Sequence, residues 1–203
     1  MVRVYGDGLS GNCYKVKLLM ALLDIEHQWT HVDILSGETK SDDFARLNAN
    51  RKIPVLQLDS GEILTESNAI LNYLAEGTSF SPDSSLARAR VLEWQFFEQY
   101  SHEPFIAVAR YIKRYLGLPE ERRADYEAKQ VGGHKALAVM EQKLADAEYL
   151  VGEAPTIADI SLYAYTHVAH EGGFDLAPYA SIRAWIARIE ALPGYVAMAS
   201  SGS

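Results

Sequence analysis

Residues 51–70 read Arg51-Lys52-Ile53-Pro54-Val55-Leu56-Gln57-Leu58-Asp59-Ser60-Gly61-Glu62-Ile63-Leu64-Thr65-Glu66-Ser67-Asn68-Ala69-Ile70. The runs Val55 to Leu58 and Glu62 to Leu64 flank Asp59-Ser60-Gly61, a turn sequence carrying the glycine that a tight reversal favours, and together they predict a β-hairpin. Pro54 falls at the first residue of a strand, where its missing N–H costs no ladder bond, and either isomer of the Ile53–Pro54 bond is compatible with that place. A helix from about Glu66 to Ala75 follows. Upstream, Val2 to Tyr5 reads as a strand and Gly6 to Gly11 as a Gly/Ser-rich turn, followed by a helix whose apolar face carries Val16, Leu19, Met20 and Leu23. Gln28 to Val32 reads as a second strand, and Ser41-Asp42-Asp43-Phe44 opens a short helix with acidic residues in its first turn. The order βαβ, α, ββ, α describes a small mixed sheet with helices packed on it.

Beyond this unit the grammar changes. Gly77-Thr78-Ser79-Phe80-Ser81-Pro82-Asp83-Ser84-Ser85 is rich in Gly, Pro and Ser and reads as a linker. No strand signal follows it. Helices are predicted at about 85–116, 123–147, 156–170 and 179–191, with Pro104 kinking the first of them. Thr156-Ile157-Ala158-Asp159 has the form of a capping box with Asp in place of Glu, directly before the apolar run Ile160 to Tyr165. The predicted organisation is an α/β domain over residues 1–76, a linker over 77–85 and an all-helical domain over 86–203.

Composition narrows the function classes. At 203 residues, 48% hydrophobic and 23% charged, the chain can bury a sizeable core. A single cysteine, Cys13, excludes an internal disulfide framework, and no Cys/His group has zinc spacing, so no metal is expected. The N-terminal residues do not form a signal segment and no apolar run reaches membrane-spanning length, so the expectation is a soluble cytoplasmic protein. Formal net charge is -8, with 7 basic against 11 acidic residues up to position 76 and 12 against 16 after it. Neither half offers a phosphate-binding surface, which argues against nucleic acid.

Three stretches bear on chemistry. In αβ-type sheets, ligands gather at strand-to-helix turns, where backbone N–H groups and the helix dipole converge. The first such turn, Asp7-Gly8-Leu9-Ser10-Gly11-Asn12-Cys13, holds a hydroxyl, an amide and the only thiol. The alternative is that Ser10 or Asn12 serves only as a helix cap and Cys13 only as a small buried hydrophobe. In the second, Arg51 to Leu56, an extended ligand could pair with the Ile53 backbone as an added strand; otherwise it is an ordinary strand entry. In the third, Thr65 to Ile70, the free amides at a helix start favour a carboxylate and the Glu66 carboxylate can accept from an ammonium group, a pairing that suits an amino-acid head. A simple cap is the alternative.

These stretches, in this order and followed by an all-helical half, resemble the cytosolic glutathione transferase superfamily over nearly the whole chain. Asn48-Ala49-Asn50-Arg51-Lys52-Ile53-Pro54-Val55-Leu56 resembles the family's N-P-x-G-K-[VI]-P-x-L, with Ala49 for the usual Pro and Arg51 for the usual Gly. Thr65-Glu66-Ser67-Asn68-Ala69-Ile70 resembles its glutathione-contacting L-x-E-S-x-A-I, and Ala154-Pro155-Thr156-Ile157-Ala158-Asp159 the buried capping motif of the helical domain, where Asp159 would serve folding. The resemblance implies a thioredoxin-like N-terminal domain that binds glutathione, a homodimer and a detoxifying transferase. It places Glu66 and Ser67 on the γ-glutamyl head and the Ile53 backbone beside a cis-Pro54 on the cysteinyl part. Lys40 or Lys52 would reach the glycyl carboxylate, with Thr39 standing where related classes carry His or Gln. Asn12 joins these contacts.

Ser10 lies where the serine-type classes carry the hydroxyl that activates the glutathione thiol. Bringing a thiol of pKa ~8.5 to ~6.5 takes about 2.7 kcal/mol. One hydrogen bond to a charged group supplies roughly 1.5–3 kcal/mol and a helix N-terminus about 0.3–1. Ser10 would therefore act as a donor to the thiolate and would need no relay. Cys13 is the alternative working group, since cysteine-type bacterial members place a thiol near the start of this helix, and its use would point to thiol–disulfide chemistry. Tyr5 lies within the first strand, several residues before the turn. The stretch from Ser10 to Leu18 also resembles the loop of glutathione-dependent maleylacetoacetate isomerases, and the same fold serves elsewhere as a non-catalytic interaction module. The electrophile site is expected between the first turn and the long helix, lined by His102, Phe105 and Tyr111. The apolar residues around Leu92, Trp94, Phe96 and Phe97 cover more than one helix stripe, as a homodimer would require.

Overall fold

The computed structural model describes residues 1–199. Strand β1 (Val2–Gly6) is followed by helix α1 (Gly11–Leu22) and strand β2 (His27–His31); helix α2 (Asp42–Leu47), the hairpin strands β3 (Val55–Gln57) and β4 (Ile63–Thr65) and helix α3 (Ser67–Ala75) complete the series. The sheet runs β2-β1-β3-β4, with β1 parallel to β2 and antiparallel to β3. This is the βαβ, α, ββ, α order expected from the sequence, and the α1 crossover explains why neighbouring β1 and β2 run parallel.

Strand alternation assigns the helices to faces. Val4 and Leu56, directly opposed across β1 and β3, point to one face and pack with Val16 and Met20 of α1 and Ile70 of α3. Tyr5 and Val55, the next opposed pair, point to the other and pack with Phe44 of α2. The N-termini of α1 and α3 therefore emerge on the same side of the sheet. At Gly6 a Cβ would meet the Cys13 sulfur at 2.8 Å and Trp29 at 3.1 Å, so only glycine lets α1 lie this close to β1.

The described residues divide into two compact units, residues 1–77 with 192–199, and residues 78–191. The sequence reading assigned the last segment to the helical half; the described part of it instead belongs with the first unit. Tyr14 of α1, almost fully buried, donates its hydroxyl to the Val196 carbonyl at 2.8 Å. Gly194, at φ 83°, passes close to the Ala21 carbonyl, and a Cβ there would lie 3.0 Å from that oxygen.

The second unit holds α4 (Ser85–Phe97), α5 (Glu103–Arg110), α6 (Arg123–Ala145), α7 (Ile157–Thr166) and α8 (Ala180–Glu190). The first predicted helix is interrupted where Pro104 foretold it. Pro104 enters the first turn of α5, and the Glu103 N–H bonds five residues back to the Glu98 carbonyl, making Glu98–His102 a π-helical turn. All of α7 is buried, and its start is fixed by Asp159, which accepts from the Leu150 and Thr156 N–H groups at 2.9 and 2.8 Å and from Trp185 Nε1 at 2.9 Å. The capping box read from the sequence is present.

At the end of α7, His167 stacks on Tyr163 with ring centroids 4.4 Å apart, and its Nδ1 meets the Tyr163 carbonyl at 2.8 Å. Burial pushes the imidazole down from 6.5 to about 4, with nearby Arg110 lowering it further. The fold holds the ring neutral while the unfolded chain protonates it, so its contribution to stability is present above the unfolded value and lost as pH falls toward the folded one. Stability should therefore drop between pH 6.5 and about 4 by about 1–3 kcal/mol from this group. Denaturant unfolding of wild type and His167→Phe across that window checks it: the variant, which keeps the stack, should show the shallower loss.

Candidate functional site

Three segments of the first unit converge. Ser10 caps α1 from an extended conformation (φ -77°, ψ 123°), and its Oγ accepts the Cys13 N–H at 3.4 Å. Asp7 sets the turn before it, accepting the Leu9 N–H on its carboxylate at 2.8 Å and the Ser10 N–H on its carbonyl at 3.1 Å. Ser10 and Asn12 remain half-buried, whereas Cys13 is 0% exposed.

Burial raises the Cys13 thiol from 9.0 to about 12; the hydrogen bonds from Ser10 and the Asp7 backbone and the charge of Lys15 pull the other way without offsetting it. A neutral, enclosed thiol packed under Gly6 is a small core hydrophobe. Tyr5 is also engaged elsewhere, donating to Gln57 Oε1 at 2.9 Å.

Ser67 opens α3 and is joined to the first turn. Its Oγ donates to Asn12 Oδ1 at 3.3 Å and accepts from Lys15 Nζ at 3.3 Å. Glu66 precedes it in an uncommon left-handed conformation (φ 66°, ψ 113°) that leaves its side chain exposed. A non-glycine residue held at positive φ is frequently found at a functional site.

The middle segment brings the remaining predicted residues together. The Ile53–Pro54 bond is cis, and Ile53 lies just before the paired part of β3, whose register with β1 begins at Val55. Arg51, where the family pattern has Gly, does take a positive φ of 55°. Its guanidinium bonds the Lys40 carbonyl, the Ser41 carbonyl at 3.3 Å and Asp42 at 3.3 Å, which anchors the Thr39-Lys40 turn beside Lys52. Asn48 Nδ2 donates to the Lys52 carbonyl at 2.7 Å. Lys40 and Lys52 both keep exposed side chains.

In the helical unit the three expected lining residues have different environments. His102 is 0% exposed and its Nε2 meets Thr166 Oγ1 at 2.9 Å, so it presents no surface to a ligand; the expectation that it lines a site gives way to a packing role. Phe105 lies against Gly132 of α6, beside Lys129, on a groove shared with Phe97 and Val131. Tyr111 is 38% exposed and pairs with Tyr115 at 5.4 Å. Lys15, by contrast, was not singled out in the sequence. The available signal was its setting among Cys13, Tyr14, Val16, Leu18 and Leu19.

Comparison with known proteins places this geometry in a family. Models of the glutathione S-transferase N-terminal and C-terminal domains match residues 9–76 and 96–193. The chain belongs to the glutathione S-transferase family. A crystal structure of a glutathione S-transferase from Pseudomonas fluorescens Pf-5 is similar at 56% identity and TM-score 0.96, covering 98% of this chain and 99% of that one. Among curated relatives, disulfide-bond oxidoreductase YfcG of Escherichia coli K12 is 29% identical over 90% of this chain and 87% of its own length. Maleylacetoacetate isomerase of Pseudomonas aeruginosa PAO1 is 28% identical over 90% and 88%. Among the described residues no helix is long and apolar enough to cross a membrane.

The enclosure of Cys13 has a direct test. In the native protein its thiol should resist iodoacetamide at pH 8 for hours and become fully alkylated in denaturant, as read by intact mass. Rapid native labelling would place the sulfur at the surface.

Proposed function

We propose that the protein is a glutathione transferase in which Ser10 donates a hydrogen bond to the glutathione thiolate. The observation that supports this most is the contrast within one turn: Ser10 is partly exposed at the N-terminus of α1, and the nearby Cys13 is wholly buried. The Ser10 oxygen already accepts the Cys13 N–H, and its proton is a rotor that can turn to a ligand sulfur. Hydroxyl and helix N-terminus together can supply roughly 2–4 kcal/mol, which covers the about 2.7 kcal/mol that a shift of two pKa units demands.

In this reading Glu66 takes the γ-glutamyl ammonium, and Ser67 with the first amides of α3 takes the neighbouring carboxylate. The Ile53 backbone pairs with the cysteinyl part. Lys40 or Lys52, beside Thr39, meets the glycyl carboxylate, and Asn12 orders the turn between the two helices. The thiol releases its proton to solvent. The sulfur lone pair then forms a C–S bond to the electrophile, whose leaving group departs with its electron pair.

The same proposal includes a cytoplasmic homodimer, supported by the exposed apolar side chains Leu92 and Phe96 on α4. A second reading is favoured by the oxidoreductase among the relatives: the Ser10-held thiolate attacks a disulfide, giving a mixed glutathione disulfide and releasing a thiolate, and a second glutathione completes the reduction. The isomerase relative suggests a third outcome, in which glutathione adds and leaves without net consumption. Both use the same activated thiolate.

Ser10→Ala tests that shared step. The apparent pKa of bound glutathione, followed by thiolate absorbance against pH, should rise by about one to two units and conjugation at neutral pH should slow, with glutathione affinity largely kept. A pH profile unmoved by the substitution sinks the serine assignment. Glutathione binding with no turnover of aryl halides, disulfides or maleyl compounds would indicate a non-catalytic module.

A further inference from the structure

Lys15 is wholly buried, whereas the other lysine of α1, Lys17, is partly exposed. Side chains on a helix lean toward its N-terminus, so a lysine one turn inside α1 delivers its ammonium to the level of the Ser10–Asn12 turn. There Nζ donates to Ser67 Oγ at 3.3 Å, and Ser67 donates onward to Asn12 Oδ1 at 3.3 Å. An ammonium has donors and no acceptor. It therefore occupies a lone pair of the Ser67 oxygen from the protein side and turns the hydroxyl proton away from itself, toward Asn12 and the face where α3 begins.

We propose that Lys15 is a positioning residue for the γ-glutamyl carboxylate of glutathione, orienting the Ser67 hydroxyl as a donor and placing a positive charge behind the α3 N-terminus. This rests on the glutathione reading above and deepens it. A buried cation beneath a helix start attracts an anion far more strongly than a solvated one, because little water screens it. Ser67 is only 5% exposed at the N-terminus of α3, so a carboxylate arriving there meets its hydroxyl and the positive end of the helix dipole in a partly dry setting. Local charge of this kind is needed in a chain of net charge -8 whose ligand is an anion. Glu66 in front and Lys15 behind present opposite charges to the two groups of one amino-acid head.

A two-by-two binding cycle tests this by calorimetry. Wild type, Lys15→Met and Lys15→Arg are each titrated with glutathione and with γ-aminobutyryl-cysteinylglycine, which lacks only the γ-glutamyl α-carboxylate. Lys15→Met should weaken glutathione binding about tenfold or more while changing affinity for the decarboxylated analogue less than about threefold, and Lys15→Arg should recover most of the loss. The pKa of the bound thiol should stay in place in all three. Lys15→Gln, which keeps a donor and drops the charge, provides the same comparison if methionine packs poorly. Equal weakening of both ligands, or of neither, overturns the assignment of Lys15 while leaving the site itself standing. Wild type that binds neither ligand overturns the glutathione reading and Lys15 with it.

Discussion

The candidate site depends on α1 and α3 sharing one face of a four-stranded sheet. Val4 and Leu56 lie side by side on that face, and the apolar contacts of Val16, Met20 and Ile70 with them fix both helices against it. Each buried side chain of this kind contributes on the order of 1.5–3 kcal/mol. Two helix N-termini are thereby held at one side of the sheet, close enough for Ser67 to reach Asn12 at 3.3 Å. Neither N-terminus alone would offer a site; in the proposed reading the two together present a hydroxyl, two helix starts and two opposite charges to one small ligand.

The same packing separates two candidate sulfur partners three residues apart. A helical residue at the cap points its side chain past the end of the helix, while one a turn later faces whatever the helix packs on. Ser10 is the first and Cys13 the second, and Gly6 makes room for the sulfur beneath β1. Burial then raises the thiol to about 12, far from any value useful for attack at neutral pH. The proposed chemistry at this turn therefore assigns the work to the hydroxyl, although a thiol is the stronger nucleophile by nature.

Much of this was legible in the sequence. The hairpin around Asp59-Ser60-Gly61, the interruption at Pro104 and the Thr156–Asp159 capping box each rest on local chemistry that few tertiary contexts override. What could not be read rests on contacts between distant segments. Lys15 is buried because α3 supplies a hydroxyl to its ammonium 52 residues away. Residues 192–199 join the first unit, where Tyr14 finds the Val196 carbonyl. His102 was expected to line the electrophile site beside the first turn, but Thr166, 64 residues on, draws it into the core. Arg51 holds a backbone conformation that the motif reserves for glycine, and it does so through long-range bonds to the Lys40–Asp42 turn. Patterns with a fixed period or a local cap are visible in one dimension, whereas a polar side chain's partner across the fold is not.

The most direct test of the central claim is a crystal structure of the protein with glutathione bound. The account predicts the ligand sulfur within about 3.5 Å of Ser10 Oγ, with the γ-glutamyl head on Glu66 and Ser67 and Cys13 still enclosed without a bond to the ligand. A mixed disulfide between Cys13 and glutathione, or a sulfur beyond hydrogen-bond reach of Ser10, would contradict it.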